Sequence, residues 1–274
     1  MRNSSGSLDW IVALGCVGTL CGLALLQPPP SPPPVVVPPL PQVPSDPNLP
    51  RVLVFTRTMK YRHRSIPDGV LAVHELGQGR WNTDHTEDAG VFTPENLGRY
   101  SAVVFLSTTG DVLDAAQQRA LERYLRSGGG WAGVHAAADT EYDWPWYGEL
   151  VGAWFRDHTS VCDNAVHVED PDDASMQGMP DPWPHKDEWY AYRSNPRPRV
   201  HVLASIDDSR TGANGMGGDH PIAWRHHMDG GRAWYTGMGH TKESFADPVM
   251  RSHLQGGISW AAGLVNDDGS PKAR

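Results

Sequence analysis

The chain of 274 residues is short of cysteine and of positive charge, and both shortages narrow what it can be. Cys16 and Cys21 lie in an apolar amino-terminal run, which leaves Cys162 alone in the rest of the chain. No intramolecular disulfide can form there, and a domain of this size needs none. The formal net charge is −9, of which the first fifty residues (Arg2, Asp9, Asp46) supply −1, so the remainder carries −8 and has no basic stripe. Nucleic acid is therefore not an expected partner. A Gly-x-Ser-x-Gly nucleophile elbow, a P-loop, a dinucleotide fingerprint and paired-cysteine metal motifs are all missing.

Long apolar runs are scarce as well, with one exception. Residues 10–26, WIVALGCVGTLCGLALL, carry no charge and follow Arg2, with no further basic residue until Arg51. The run approaches the roughly 20 residues that cross a bilayer, and the arginine favours a cytoplasmic amino end. This predicts a cytoplasmic segment at 1–9, a transmembrane helix at 10–26, and a domain exported to the periplasmic or extracellular face. A cleaved signal peptide releasing a secreted domain, or a lipoprotein modified at Cys16, are the alternatives. Residues 27–50 hold half of the 24 prolines and read as a polyproline spacer, with the domain at 51–265 and a frayed tail at 266–274.

Within the domain, strands are predicted at 51–55, 81–86, 102–106 and 131–134. Helices are predicted at 70–76, 93–97 and 114–127. Such alternation argues for an α/β fold with a mostly parallel central sheet and helices on both faces. Beyond residue 165 short strands follow at 165–168, 188–193, 200–206, 221–226 and 232–236, as hairpin-like additions, and a helix at 247–262 closes the domain.

What the chain does have is histidine, thirteen in all, several of them at predicted strand ends. The stretch GGGWAGVHAAADT, 128–140, reads as strand, sharp turn and helix with His135 at the bend, where an open α/β sheet binds ligands. Arg232-Ala233-Trp234-Tyr235-Thr236 runs through Gly237-Met238-Gly239 into His240, a second junction of that kind. His63 sits in the long polar loop after the first strand, His158 in an expected loop, and His220 between Asp219 and Pro221. Thr108 and Thr109 follow the third strand, where their hydroxyls could hold a polar ligand. Tyr142 and Trp144 lie in an aromatic cluster of a kind that stacks on sugars, although such clusters more often fill a core. Neutral imidazoles with a carboxylate from the Asp187-Glu188 pair suit a divalent ion such as zinc, and equally suit metal-free proton transfer. The metal candidates are His63, His135, His158 and His240; no His-x-x-x-His pair supports them.

The segments RVLVFTRTMKYRHRSIP, DHTEDAGVF, VVFLSTTGDVL, GGGWAGVHAAADTEYDWPWYGELVGAWF, DEWYAYR, GGDHPIAW and GGRAWYTGMGHTKESF together resemble the ThuA-like (trehalose utilisation) family over residues 51–263. The resemblance implies a flavodoxin-like sandwich similar to class I glutamine amidotransferases. His135 stands where those enzymes carry a nucleophilic cysteine, so glutaminase activity is not expected. It also implies a link to carbohydrate metabolism, including keto-sugars. One expectation is a membrane-tethered hydrolase, lyase or isomerase of a disaccharide or keto-sugar. In it His135 and His240, helped by His63 and Glu188, move protons or hold a metal, while Tyr142, Trp144, Thr108, Thr109, His158 and His220 contact substrate. The other is a carbohydrate-binding or scaffolding module without turnover. Self-association into a homo-oligomer is compatible with either.

Overall fold

The computed structural model describes residues 35–41, 45–267, 270 and 272. The expected anchor at 10–26 lies outside the described residues, among which no helix is long and apolar enough to cross a membrane.

Strand β1 (Arg51–Phe55) is apolar at every position but the first and is buried on both faces, as a strand covered by helices on two sides has to be. Its alternation divides two cores. Val52 and Val54 pack with residues of helix α1 (Ile66–Leu76) and helix α6 (Pro248–Ala261). Leu53 and Phe55 face the opposite core, with helix α3 (Ala115–Arg126) and helix α4 (Pro145–Val151). Strands β2 (Asn82–Thr86), β3 (Ala102–Leu106) and β4 (Gly130–Val134) complete the alternating half, with the short helix α2 (Pro94–Leu97) before β3. Local signals set the boundaries: Asp114 and Gln117 form a reciprocal capping box on α3, and Asp247 caps α6 ahead of its first-turn proline.

Seven strands follow in the second half of the chain: β5 (Phe155–His158), β6 (Cys162–Val168), β7 (Trp183–Asp187), β8 (Tyr190–Tyr192), β9 (His201–Ile206), β10 (Pro221–Met228) and β11 (Gly231–Thr236). Helix α5 (Lys242–Ala246) then precedes α6. The main sheet has nine strands in the order β2-β1-β3-β4-β11-β10-β9-β6-β7, and β5 pairs with β8 in a separate ribbon. The pairings from β2 to β11 are parallel and those from β11 to β7 antiparallel, so the sheet is evenly mixed rather than mostly parallel. The parallel half has the 2-1-3-4-5 order of flavodoxin-like folds, with β11 as its fifth strand.

Several expectations are corrected. The segment 155–158 is a strand, not a loop. Residues 183–187, WPHKD, form a strand that was not foreseen, because a proline and three polar side chains hide its alternation of buried Trp183, His185 and Asp187 with exposed neighbours. The predicted strand 188–193 shrinks to Tyr190–Tyr192. The helix expected after the bend at His135 is present as a 3-10 helix, His135–Asp139. The described end of the spacer does not stand off the domain: Val37 and Leu40 pack against the core, and Arg62 Nε donates to the Val35 carbonyl at 2.7 Å. Within the expected tail, residue 267 is held against the domain. Asp267 accepts from Trp260 Nε1 at 3.0 Å, and its carbonyl accepts from Arg225.

Candidate active site

The carboxyl end of β4 is where the site begins. His135, the next residue, has a φ of +52°, a left-handed conformation rarely adopted by a non-glycine residue. Its surroundings hold it there. The Tyr235 hydroxyl donates to the His135 carbonyl at 2.9 Å, and His135 Nδ1 lies 2.8 Å from the Gly237 carbonyl. Since a carbonyl only accepts, Nδ1 carries the proton and Nε2 presents a lone pair. That lone pair looks toward His240 Nδ1 at 3.2 Å and Glu188 Oε2 at 3.6 Å, while His240 Nδ1 and Glu188 Oε2 are 3.0 Å apart.

His240 comes from the loop after β11. Gly239, with a φ of +114°, makes the turn that aims it, a conformation open in practice only to glycine. Asp187, fully buried, accepts from the amides of Gly239 at 2.7 Å and His240 at 3.1 Å, and from Ser244 Oγ at 3.0 Å. Consecutive side chains leave an extended segment on opposite sides, so Asp187 braces the loop while Glu188 enters the histidine cluster. In a flat sheet β7 would lie four strand spacings, roughly 19 Å, from β11. The contact of Asp187 with the β11 loop therefore requires the antiparallel half to curl back over the strand ends.

His63 arrives from the loop after β1. Thr109, after β3, holds that loop: its hydroxyl donates to the Tyr61 carbonyl at 2.9 Å, and its carbonyl accepts from the Met59 amide at 2.7 Å. Ser65 Oγ ties the same loop to the Gly239 carbonyl at 3.2 Å. The His63 ring thereby sits 4.8 Å from the His135 ring and 5.1 Å from the His240 ring, both edge to face. His63 is only 3% exposed and its Nδ1 has no hydrogen-bond partner among the described residues. One ligand atom each from His63, His135, Glu188 and His240 fall within 4.8 Å of one another.

Charges at the centre follow from burial and contact. Burial, then the neighbouring imidazoles, push His63 down to about 2 and keep it neutral. For Glu188 burial acts upward, but the neighbouring imidazoles, with His240 Nδ1 at 3.0 Å, outweigh it and hold the carboxyl well below its usual range. Burial opposes charge on His240, yet the hydrogen bond and charge of Glu188 raise it. His158 lies outside the four: its Nδ1 is shared between the Thr159 carbonyl at 2.7 Å and Glu188 Oε1 at 3.0 Å. Its Nε2 makes no hydrogen bond among the described residues, and its side chain is 47% exposed.

The structure therefore brings His63, His135, Glu188 and His240 together, with His158 on the outer oxygen of the carboxylate. It does not gather the other expected contacts. Thr108 Oγ1 pairs with Thr140 Oγ1 at 2.9 Å, and Thr109 is occupied as described, so both hydroxyls position loops. His220 is buried with both nitrogens engaged, Nδ1 by Asp208 at 2.7 Å and Nε2 by the Tyr190 carbonyl at 2.8 Å. Trp144 stacks on Trp146 and Tyr147 within the core. Tyr142 is half-buried: its hydroxyl donates to Asp139 at 2.7 Å, and its ring lies 4.0 Å from the Arg193 guanidinium and 5.0 Å from Lys60 Nζ. Among the described residues neither cation forms an ion pair within 4.0 Å.

Sequence reasoning missed Tyr190, whose ring lies 4.1 Å from that of His135 as the floor of the centre. The alternation in EWYAYR puts Glu188, Tyr190 and Tyr192 on one side, and that was the available signal.

Fold and site together define an α/β protein with a mixed sheet and a histidine–carboxylate centre at the ends of its parallel strands. The chain belongs to the trehalose utilisation (ThuA) family, which matches residues 51–261. It is similar to a putative ThuA-like protein of Bacteroides uniformis, with 23% identity, a TM-score of 0.67, and coverage of 82% of this chain and 96% of that one. A putative ThuA-like protein of Parabacteroides merdae gives 19% identity, a TM-score of 0.68, and coverage of 82% and 92%. At these identities the likeness bears on the fold alone. No curated protein matches.

Proposed function

We propose that this domain is an enzyme acting on a carbohydrate, a disaccharide or keto-sugar, at the centre formed by His63, His135, Glu188 and His240. The observation that carries the reading is the convergence of three imidazoles from three distant loops on one carboxylate, with a fourth imidazole, His158, open to solvent on that carboxylate's other oxygen. Clustered titratable groups with shifted protonation are what acid–base chemistry needs and what a sugar-binding surface does not. In this reading the inner four residues grip and polarise a carbonyl or hydroxyl oxygen of the sugar. His158 Nε2 takes and returns a proton beside it, held in position by its Nδ1 contact to Glu188. Tyr142, with Lys60 and Arg193, lines the approach. The family description, trehalose utilisation, points to the same substrate class. The apolar run at 10–26 would tether the domain to a membrane, with the domain exported.

The test is a screen of ordinary and oxidised disaccharides with the full-length protein, followed by Glu188→Gln on whichever is converted. Turnover lost with substrate still bound supports the enzyme. Binding without turnover in the wild type overturns it in favour of the carbohydrate-binding module. His135→Ala is a poor first variant, because His135 is fully buried and its loss leaves both a cavity and an unpaired Gly237 carbonyl.

A further inference from the structure

We propose that His63, His135, Glu188 and His240 are the ligands of one divalent transition-metal ion of the zinc type. This shares its residues with the proposed function but does not require the substrate named there. Two ligand atoms each about 2.1 Å from a metal can be at most about 4.2 Å apart. The pairs His135 Nε2–His240 Nδ1 at 3.2 Å, His135 Nε2–Glu188 Oε2 at 3.6 Å and His240 Nδ1–Glu188 Oε2 at 3.0 Å already satisfy that limit. In a tetrahedral site ligand atoms stand about 3.4 Å apart, so these three pairs are nearly in place, and the widest separation in the set, 4.8 Å, has to close by roughly 1.4 Å as His63 moves in.

Three further observations agree. His63 is a buried imidazole whose Nδ1 has no hydrogen-bond partner among the described residues, so hydrogen bonding to them does not account for its place in the cluster. His135 is fixed in its ligating tautomer by the Gly237 carbonyl at 2.8 Å, and Glu188 is oriented through its other oxygen by His158 at 3.0 Å, the outer-shell support that metal ligands usually have. The His240 side chain, 22% exposed, leaves a way in. Three nitrogen donors and one carboxylate favour zinc, iron, cobalt or nickel over magnesium or calcium. Ligation through His240 Nδ1 puts that ring's remaining proton on Nε2. The bound ion faces three neutral donors and a single negative charge, which leaves it electrophilic toward an oxygen of a ligand.

The experiment is metal uptake by the full-length protein after stripping with a chelator, using cobalt(II), whose visible absorption reports coordination, and then zinc to displace it. Magnesium serves as the contrast. The result expected is saturable uptake of one cobalt ion per chain, displaced by zinc and not by magnesium. Affinity should fall about 100-fold or more in Glu188→Gln and in His63→Gln, and about tenfold in His158→Ala, which loses the contact that orients Glu188. His201→Gln, at an exposed histidine paired with Asp170, should leave uptake unchanged. Melting curves without metal identify any variant that fails to fold, and the wild-type titration stands without the variants. Absence of saturable uptake overturns the inference, as does undiminished affinity in both Glu188→Gln and His63→Gln. Uptake with no sugar converted upholds the metal site and overturns the proposed function; turnover by stripped protein that takes up no metal does the reverse.

Discussion

The two halves of the sheet contribute to the centre in different ways. The parallel half delivers histidines by the ordinary logic of strand–helix alternation: loops after β1, β4 and β11 all emerge at the same rim, so His63, His135 and His240 meet although they are far apart in sequence. The antiparallel half delivers the carboxylate by curling over that rim. Its last strand, β7, ends at Asp187, which braces the β11 loop, and the next residue, Glu188, faces the imidazoles. The parallel half thus supplies donors and the antiparallel half supplies charge. Neither makes the site alone.

The largest effect that would break this division is Glu188→Gln. It removes the one negative charge among three imidazoles while keeping the side chain's shape. Turnover should drop on the order of 10³-fold, with the melting temperature nearly unchanged, as measured by steady-state rates alongside thermal unfolding. If stability collapses and the residual rate tracks the folded fraction, Glu188 is a brace like its neighbour.

A second effect sits at the seam. His253 of α6 is fully buried, with Nδ1 3.0 Å from the carbonyl of Ser175 in the β6–β7 connection, so it joins the helix covering the parallel half to the antiparallel half. Burial, only partly offset by that carbonyl and by Asp173, pushes the imidazole down to about 4 from the usual 6.5. Between those values the unfolded chain binds the proton and the folded one does not, so this contribution is lost as pH falls from about 6.5 toward 4. It amounts to roughly 3 kcal/mol at the lower limit. His253→Gln, which can still donate to Ser175 but does not titrate, should flatten that part of the stability–pH curve in urea unfolding. The remaining slope belongs to other groups. An unaltered slope would mean that acid opens the protein elsewhere.

How much of this could be read from the chain follows the same division. Residues 52–55 and 102–106 are uninterrupted apolar runs, and Asp114 marks a helix start, so β1, β3 and α3 were legible nearly to the residue, whereas α1 begins at Ile66, four residues before the expected 70. His135 and His240 stood out because small residues and glycines surround them at strand ends. In the other half, β7 reads as WPHKD, and only tertiary contacts reveal that its odd positions are buried. Thr109 and His220 looked available because their sequence neighbours are polar. What occupies them are groups from distant segments, the Tyr61 carbonyl for one and Asp208 with the Tyr190 carbonyl for the other, which no local pattern discloses.

Asp187→Asn sharpens the contrast between the two adjacent acids. The amide retains one acceptor oxygen but loses the charge that receives the Gly239 and His240 amides, costing about 2 kcal/mol in urea unfolding. Turnover should fall as well, through loosening of the His240 loop. The stability loss is what distinguishes this variant from Glu188→Gln.

The smallest effect is at His158, and it decides whether this imidazole handles a proton or merely contacts substrate. Glutamine at this position can still donate to Glu188 Oε1, so the carboxylate keeps its orientation, but the free nitrogen that could accept a proton is gone. General acid–base groups contribute on the order of 10² to 10⁴ in rate. With 47% of the side chain exposed, water can stand in for much of that, so His158→Gln should lower kcat only about tenfold, with KM and melting temperature unchanged. A raised KM at constant kcat would instead make His158 a binding residue, as its sequence context suggested, and would leave the proton transfer to the inner cluster.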